Sequence, residues 1–175
     1  MPCIIFTGLT QKDEALRFAQ QQDNVNKLTP YDVFKANIAC GEASIPEIAV
    51  DLNIKRICDK YNIEIKKYSF GMKKRRILRC LTFARQIPDA FEWIVDIINK
   101  SNWANCPQAY AKHIMETIYA YYNDSIGNLL PAEERLIYMM NTTTPDELEA
   151  MARLSYPEYK LNNALSLCVR DLTQE

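Results

Sequence analysis

The placement of proline constrains this chain most, because proline is tolerated in the first turn of a helix and breaks a helix interior. Helix-start signals with proline recur along the sequence, at Pro30, Pro88, Pro107, Pro131, Pro145 and Pro157. Between them, apolar residues return every three or four positions, and the 175 residues include only 4 glycines. The pattern predicts a mainly α fold, a compact multi-helix bundle of about eight short helices.

Capping signals refine the predicted helix bounds. Thr10 is a candidate N-cap with acidic residues in the following turn, Thr29 precedes Pro30, and Ser44 stands three residues before Glu47 in a capping box. The N-terminal helices are predicted over residues 10–22, 29–41 and 44–62. The later helices are predicted over residues 72–86 and 88–102, with further starts at Pro107, Leu130, Thr144 and Pro157.

Two short segments have the composition of strands. Residues 3–6 are apolar and end at Thr7-Gly8, and residues 63–68 alternate apolar with polar side chains. An unpaired strand exposes backbone hydrogen-bonding groups, and these two segments could pair with each other, although a two-stranded ribbon is marginal unless helices pack on it. The fold class therefore allows at most a small two-stranded β element, formed by residues 3–6 and 63–68.

The length fits one compact unit or two small lobes, and the second case is predicted to divide the chain into residues 1–70 and 71–175. No apolar run approaches the roughly 18 residues needed to cross a bilayer, and the start of the sequence lacks the pattern of a secretory signal. Six cysteines occur singly beside apolar residues, which is typical of buried free thiols. A reducing cytoplasm is the expected location.

The formal net charge of −1 hides a strong asymmetry along the sequence. Nine basic residues lie between Lys60 and Arg85, opposed by Glu64 alone. The candidate contacts to nucleic acid or to an acidic partner are Lys66, Lys67, Lys73, Lys74, Arg75, Arg76 and Arg79. Such runs often mark a solvated helix face, but neighbouring like charges disfavour a helix unless an anionic partner neutralises them. Aromatic residues among them, Tyr61, Tyr68 and Phe70, are candidates for stacking on bases.

Residues 46–62 also allow a second interpretation, as a helix-turn-helix with its turn at Leu52-Asn53. Lys55, Arg56 and Lys60 would then face a DNA groove. The turn lacks its usual glycine, and one longer helix accounts for the same apolar positions.

Several stretches resemble ParB-like proteins of phages, plasmids and bacterial mobile elements. The residues that carry the resemblance are Leu9-Thr10, Glu14-Ala15, Phe18, Asn24, the run 28–36, residues 91–94, Trp103, Ala109-Tyr110 and the cluster 119–122. The resemblance implies a helical region that follows a nucleotide-binding domain and touches DNA or a partner. The family's phosphate motif would lie upstream of this chain, so no nucleotide site is implied within it.

Enzymatic chemistry finds little support in the residue pattern. His113 is the only histidine, Glu116 is on the same predicted helix, and local spacing places no nucleophile or second acid with them. Paired acids such as Asp13-Glu14 and Glu133-Glu134 lie at helix starts, where they stabilise the helix dipole. We expect no catalytic residue, no metal site and no cofactor.

Two functions of different classes remain open. The first is a non-enzymatic nucleic-acid-binding protein of a phage or mobile element that contacts phosphates through the basic helix predicted over residues 72–86. The second is an inhibitor of a host nuclease or anti-phage system, similar in action to an anti-CRISPR protein, which docks the same basic face on a partner. A homodimer is also expected, through the unpaired strand 3–6 or through aromatic helix ends at Trp93, Trp103 and residues 119–122.

Overall fold

The computed structural model describes residues 8–20, 28–41, 46–66, 77–78, 81–127 and 129–174, without the side chains of residues 18–20 and 77. The chain consists of two compact units, Met1–Arg56 and Ile57–Glu175. The predicted boundary near residue 70 lies outside the described residues. The predicted fold class is confirmed, because short helices make up most of the described structure. No helix in the described ranges is long and apolar enough to cross a membrane.

The first unit begins with two helices that pack against each other, α1 (Gln11–Gln20) and α2 (Pro30–Cys40). The predicted caps form at both starts. At α2 the Thr29 hydroxyl accepts a hydrogen bond from the Asp32 amide at 3.3 Å, and the Asp32 carboxylate accepts one from the Thr29 amide at 3.2 Å. Helix α2 ends at Gly41, whose φ of 67° lies in the left-handed region that favours glycine.

Helix α3 (Pro46–Lys60) is continuous, so the helix-turn-helix interpretation is wrong. A turn at Asn53 would expose Ile54, which is fully buried in the unbroken helix. Within the first unit, the side-chain amide of Asn37 donates to Asp51 Oδ2 at 2.8 Å. Both side chains are buried, so this bond satisfies polar groups that would otherwise be costly to remove from water.

The second unit contains the remaining described helices and a small ribbon. Its helices are α4 (Leu81–Gln86), α5 (Pro88–Lys100), α6 (Lys112–Asp124), α7 (Leu129–Thr142), α8 (Pro145–Ser155) and α9 (Leu161–Gln174). Two 3-10 turns, Asn102–Asn105 and Pro107–Tyr110, connect α5 to α6. Pro107 was expected to open an α-helix and instead opens the second of these turns.

The β element differs from the prediction. Strand β1 (Glu64–Ile65) pairs in parallel with β2 (Ile77–Leu78), and residues 3–6 lie outside the described residues. Residues 77 and 78 were assigned to a helix over 72–86, but α4 begins only at Leu81. Two consecutive apolar residues fit a short buried strand as well as a helix, and the pairing buries Leu78 to 1% exposure.

Helix α5 lies at the centre of the second unit, where it contacts α4, α6, α7 and the first 3-10 turn. Its apolar residues Phe91, Ile94, Val95, Ile97 and Ile98 are all fully buried. Helix α9 packs against α6, α7 and α8, which completes the core around α5. The predicted helix start at Pro157 is wrong, because this proline lies in the turn between α8 and α9.

Candidate nucleic-acid interface

The basic segment, defined as residues 66–80, contains seven lysines and arginines and no carboxylate. Removing these seven from the 21 basic residues of the chain leaves 14 cations against 22 acids. Among the predicted contact residues, the structure describes Lys66. Lys67, Lys73, Lys74, Arg75, Arg76 and Arg79 lie outside the described residues.

The described flanks of the basic segment are close together. Strands β1 and β2 pair with Glu64 opposite Ile77 and Ile65 opposite Leu78. Neighbouring strands lie about 4.8 Å apart, and a parallel pair requires a crossover connection. In the sequence, residues 66–76 form that connection. Most cations of the basic segment therefore belong to the stretch of chain that joins the two paired strands.

Lys66, the first cation of the basic segment, already has a carboxylate neighbour. Its Nζ lies 2.5 Å from Glu64 Oε2, and both side chains are about one-third exposed, at 38% and 34%. An ion pair this open to water contributes little to stability, but it lowers the charge available to a phosphate. Lys66 is therefore a weaker candidate than the later cations.

Arg56 and Lys60, which the rejected helix-turn-helix would have placed in a DNA groove, contact residues of their own units. Arg56 donates to Asn53 Oδ1 at 3.0 Å in the first unit. In the second unit Lys60 donates to Glu92 Oε1 at 3.0 Å, and its Nζ lies 4.8 Å from the centre of the Tyr61 ring. Hydrogen bonding with Tyr61 and then Glu92 raises the pKa of Lys60 above its ordinary value. These contacts give both side chains local structural partners.

A chain of polar contacts runs across α5. The Tyr61 hydroxyl donates to Asp96 Oδ1 at 2.7 Å, and Lys100 Nζ lies 2.7 Å from both Asp96 Oδ2 and Glu133 Oε1. Burial raises the pKa of Asp96, but hydrogen bonds from Lys100 and Tyr61 outweigh it and hold this pKa below the ordinary value. The i, i+4 spacing of Asp96 and Lys100 was visible in the sequence, whereas Tyr61 and Glu133 join through the fold.

Of the aromatic residues predicted to stack on bases, the structure describes one, and that one is buried. Tyr61 is buried, with its hydroxyl bound to Asp96, so its ring is not available to a base. Tyr68 and Phe70 lie outside the described residues. Instead, an aromatic row forms on α5 and α6, where Trp93 lies 5.0 Å from Tyr122 and Tyr122 lies 6.4 Å from Tyr119 between ring centres. All three rings of this row are partly exposed.

Trp103 does not belong to an exposed aromatic surface. It is 1% exposed, and its indole N–H donates to the Thr143 carbonyl at 2.5 Å. A tryptophan with its polar atom satisfied in this way is part of the core. Its expected place in a dimer contact is therefore wrong.

The histidine lies among charges that connect helices. His113 Nε2 is 3.4 Å from Glu149 Oε2 on α8, and Glu149 also accepts from Arg153 at 2.8 Å. Glu116 accepts a hydrogen bond from Asn162 on α9 at 2.8 Å, so its carboxylate has a partner other than His113. The sequence pattern did not predict these partners for Glu149 or for Glu116. The arrangement accounts for His113 as a contact between α6 and α8.

Metal ligation and thiol chemistry find no centre in the described ranges. No group of three or more histidine, cysteine or acidic side chains there is arranged to hold a metal ion. Cys40, Cys58 and Cys168 are buried free thiols, and Cys106 is partly buried. Burial raises the pKa of Cys106 and of Cys168, which disfavours the reactive thiolate.

No protein-family model, curated protein or solved structure matches this chain. The ParB-like relationship therefore stays a prediction.

Proposed function

We propose that this chain is a cytoplasmic, non-enzymatic nucleic-acid-binding protein of a phage or mobile element, which contacts phosphates through its basic segment. The ParB-like resemblance supplies the biological context of the proposal. The observation that carries it is the charge of residues 66–80, seven cations without a carboxylate in a chain whose other residues are acidic overall. Such a local excess attracts a phosphate backbone in spite of the net charge of −1.

Four described cations outside the basic segment have carboxylate partners. Lys60, Lys100, Lys112 and Arg153 each lie within 3.4 Å of a carboxylate in the second unit. They balance charges between or along helices. In the basic segment Lys66 also has such a partner, Glu64, but six further cations follow it without an acidic residue among them, and this excess supports an external anion as the partner.

The ribbon geometry supports the same proposal. The strands on either side of residues 67–76 are paired with each other, and this interval contains Lys67, Lys73, Lys74, Arg75 and Arg76. In the sequence, five cations thus lie between two strands that pair with each other. Contacts of this kind recognise a phosphate backbone, and base sequence is read little or not at all.

The test is a fluorescence-anisotropy titration with duplex and single-stranded DNA at several salt concentrations. If Lys73, Lys74, Arg75, Arg76 and Arg79 each contact a phosphate, log affinity falls with log salt at a slope of about −4 to −5. The double variant Arg75→Glu, Arg76→Glu is expected to abolish binding, because it removes two contacts and introduces two repulsive charges.

The matched control is Lys160→Glu, Arg170→Glu, which makes the same change in net charge at two exposed positions on and beside α9. This control is expected to bind DNA almost as the unchanged chain does. A salt slope near zero, or equal loss in both double variants, would contradict the proposal. In that event, a nuclease-resistant stoichiometric complex with a protein would favour the inhibitor of a host nuclease or anti-phage system.

A further inference from the structure

The aromatic row, formed by Trp93 on α5 with Tyr119 and Tyr122 on α6, differs from the core rings of the second unit in its polar atoms. Within the described part of the chain, the Trp93 indole N–H and the hydroxyls of Tyr119 and Tyr122 form no hydrogen bond, and all three atoms reach solvent. The buried rings of Tyr61 and Trp103 instead donate their polar hydrogens to atoms of the unit. The row therefore has both ring surface and polar atoms to offer a ligand.

The rings of the row are close enough to form one aromatic surface. The ring centres of Trp93 and Tyr122 are 5.0 Å apart, and those of Tyr122 and Tyr119 are 6.4 Å apart with planes only 16° from parallel. At the Tyr119 end, the buried ring of Phe83 packs edge-on at 5.8 Å. This contact fixes the row to α4.

Helix α4 is the first helix after the basic segment. The segment ends at residue 80, and α4 begins at Leu81. Phe83 thus follows the cation-rich stretch by three residues in the sequence. A ligand that contacts both features would meet a run of cations and then a row of aromatic rings.

The acids near the row are mostly balanced. Of those three or four positions from its rings, Asp96 pairs with Lys100 at 2.7 Å and Glu116 pairs with Lys112 at 3.4 Å. Asp89, four residues before Trp93, is exposed. A single exposed carboxylate opposes a phosphate backbone only weakly, since salt screens it.

We propose that the aromatic row stacks the bases of a single-stranded nucleic acid whose phosphates contact the basic segment. This inference rests on the proposed function and names its ligand as a single strand. In a duplex the bases stack on each other, whereas the bases of a single strand have faces free for aromatic side chains. Every base has such a face, so stacking of this kind agrees with contacts that read little sequence.

The experiment compares three fluorescent probes of equal length by anisotropy: a single strand of thymidines, an abasic single strand and a DNA duplex. Trp93→Ala is expected to weaken binding of the thymidine strand about fivefold to a hundredfold, the range for one lost stacked base. Affinity for the abasic strand and the duplex is expected to stay unchanged, because neither offers a free base face. Trp93→Phe keeps a ring and is expected to retain most of the affinity.

The matched control is Tyr138→Ala, which removes an aromatic ring at a 70% exposed position on α7, outside the row. Its affinity for all three probes is expected to equal that of the unchanged chain. Circular dichroism verifies that each variant is folded.

Tryptophan fluorescence gives a second readout. The chain has two tryptophans, and Trp103 is 1% exposed, so quenching by a ligand reports on Trp93. The thymidine strand is expected to quench the unchanged chain, and the abasic strand much less. In Trp93→Phe most of the quenching should disappear.

The outcomes separate this inference from the proposed function. Unchanged affinity of Trp93→Ala for the thymidine strand, while Arg75→Glu, Arg76→Glu abolishes binding, would overturn the stacking role and leave the proposed function standing. Equal loss for all three probes in Trp93→Ala would make Trp93 a structural residue and also refute stacking. If sedimentation equilibrium showed a dimer that Trp93→Ala dissociates without weaker binding of the thymidine strand, the row would be a self-association surface instead. A chain that binds none of the probes would refute both proposals.

Discussion

Helices α5 and α7 are both amphipathic helices of the second unit, and they treat their outward residues in different ways. Three of the four charged residues of α5 have partners within the unit, Glu92 with Lys60 and Asp96 with Lys100. Helix α7 leaves Leu130 and Tyr138 largely exposed, although both are large side chains with apolar surface. The outward side of α5 is thus mostly tied to the unit, whereas the outer face of α7 is exposed to water.

The same difference separates two neighbouring charges of α7. Glu133 and Glu134 are adjacent in the sequence, yet only Glu133 reaches a cation in the described structure. A sequence pattern treats the two alike, since both lie in the first turns of the same helix. The predictions below test whether this division between the two helices holds.

The largest effect is expected in the buried face of α5. Phe91 is fully buried, and Phe91→Ala is expected to lower the free energy of unfolding by about 3–5 kcal/mol, through lost transfer energy and a residual cavity. The measurement is urea unfolding followed by circular dichroism. The comparison variant on α7 is Leu130→Ala, measured in the same way.

Leu130→Ala is expected to change the free energy of unfolding by less than about 0.5 kcal/mol, because its side chain is already in water. Loss of several kcal/mol in this variant would mean that Leu130 is covered within the monomer. The distinction between an α5 tied to the unit and an exposed outer face of α7 would then be wrong.

Local signals in the sequence predicted the helices well. The N-cap predicted at Thr29 and the helix start predicted at Thr144 are confirmed, each as a capping box, and Pro88 opens α5. The capping box predicted at Ser44 lies outside the described residues. Each of these signals acts within one turn of the chain: the threonine side chains satisfy amides that the helix itself leaves unpaired, and proline at the first position has no such amide. Helix starts of this kind need no information from distant residues.

The failures arise where two local structures suit the same residues. Ile77 and Leu78 fit a helix by spacing, but pairing with Glu64 and Ile65 makes them a strand. Pro157 is compatible with a first helical turn and equally with a loop, and here the chain turns before α9 begins at Leu161. At residues 77 and 78 the deciding interaction therefore lies outside the local segment.

Distant contacts limited the prediction of the candidate sites even more than that of the helices. The basic segment was visible in the sequence because its residues are consecutive. The outer face of α7 was not visible in the sequence, since the exposure of Leu130 and Tyr138 depends on which side of the helix the unit covers. Likewise, the hydrogen bond between Tyr61 and Asp96 joins residues 35 positions apart, which spacing rules do not reach.

A smaller effect is expected from the charges of α5. Asp96→Asn removes a partner of both Lys100 and Tyr61, and we expect a loss of about 1 kcal/mol in unfolding free energy at pH 7, after allowance for solvent screening. The folded pKa of Asp96 is lowered, so its contribution is present above the unfolded value of about 3.9 and is lost as pH falls through the folded value.

The ion pair of Asp96 and Lys100 also has an upper pH limit, above which it no longer contributes to stability. The pKa of Lys100 is raised by Asp96 and Glu133, so its contribution is present below the unfolded value of about 10.4 and is lost as pH rises through the folded value. Urea unfolding at pH 7 and near pH 2 checks the lower limit, where Asp96→Asn and the unchanged chain should converge. Asp89→Asn, an exposed change on the same helix, is the control and should cost less than about 0.5 kcal/mol at both pH values.

The smallest effects separate Glu133 from Glu134. Glu133→Gln removes the contact with Lys100 and is expected to lower the free energy of unfolding by about 0.5 kcal/mol. Glu134→Gln is expected to leave the free energy of unfolding unchanged, because Glu134 is exposed and forms no ion pair within the described part of the chain. Urea unfolding measures both variants. Different responses from these adjacent residues would locate the division between paired and unpaired charges within a single turn of α7, whereas equal responses would remove it.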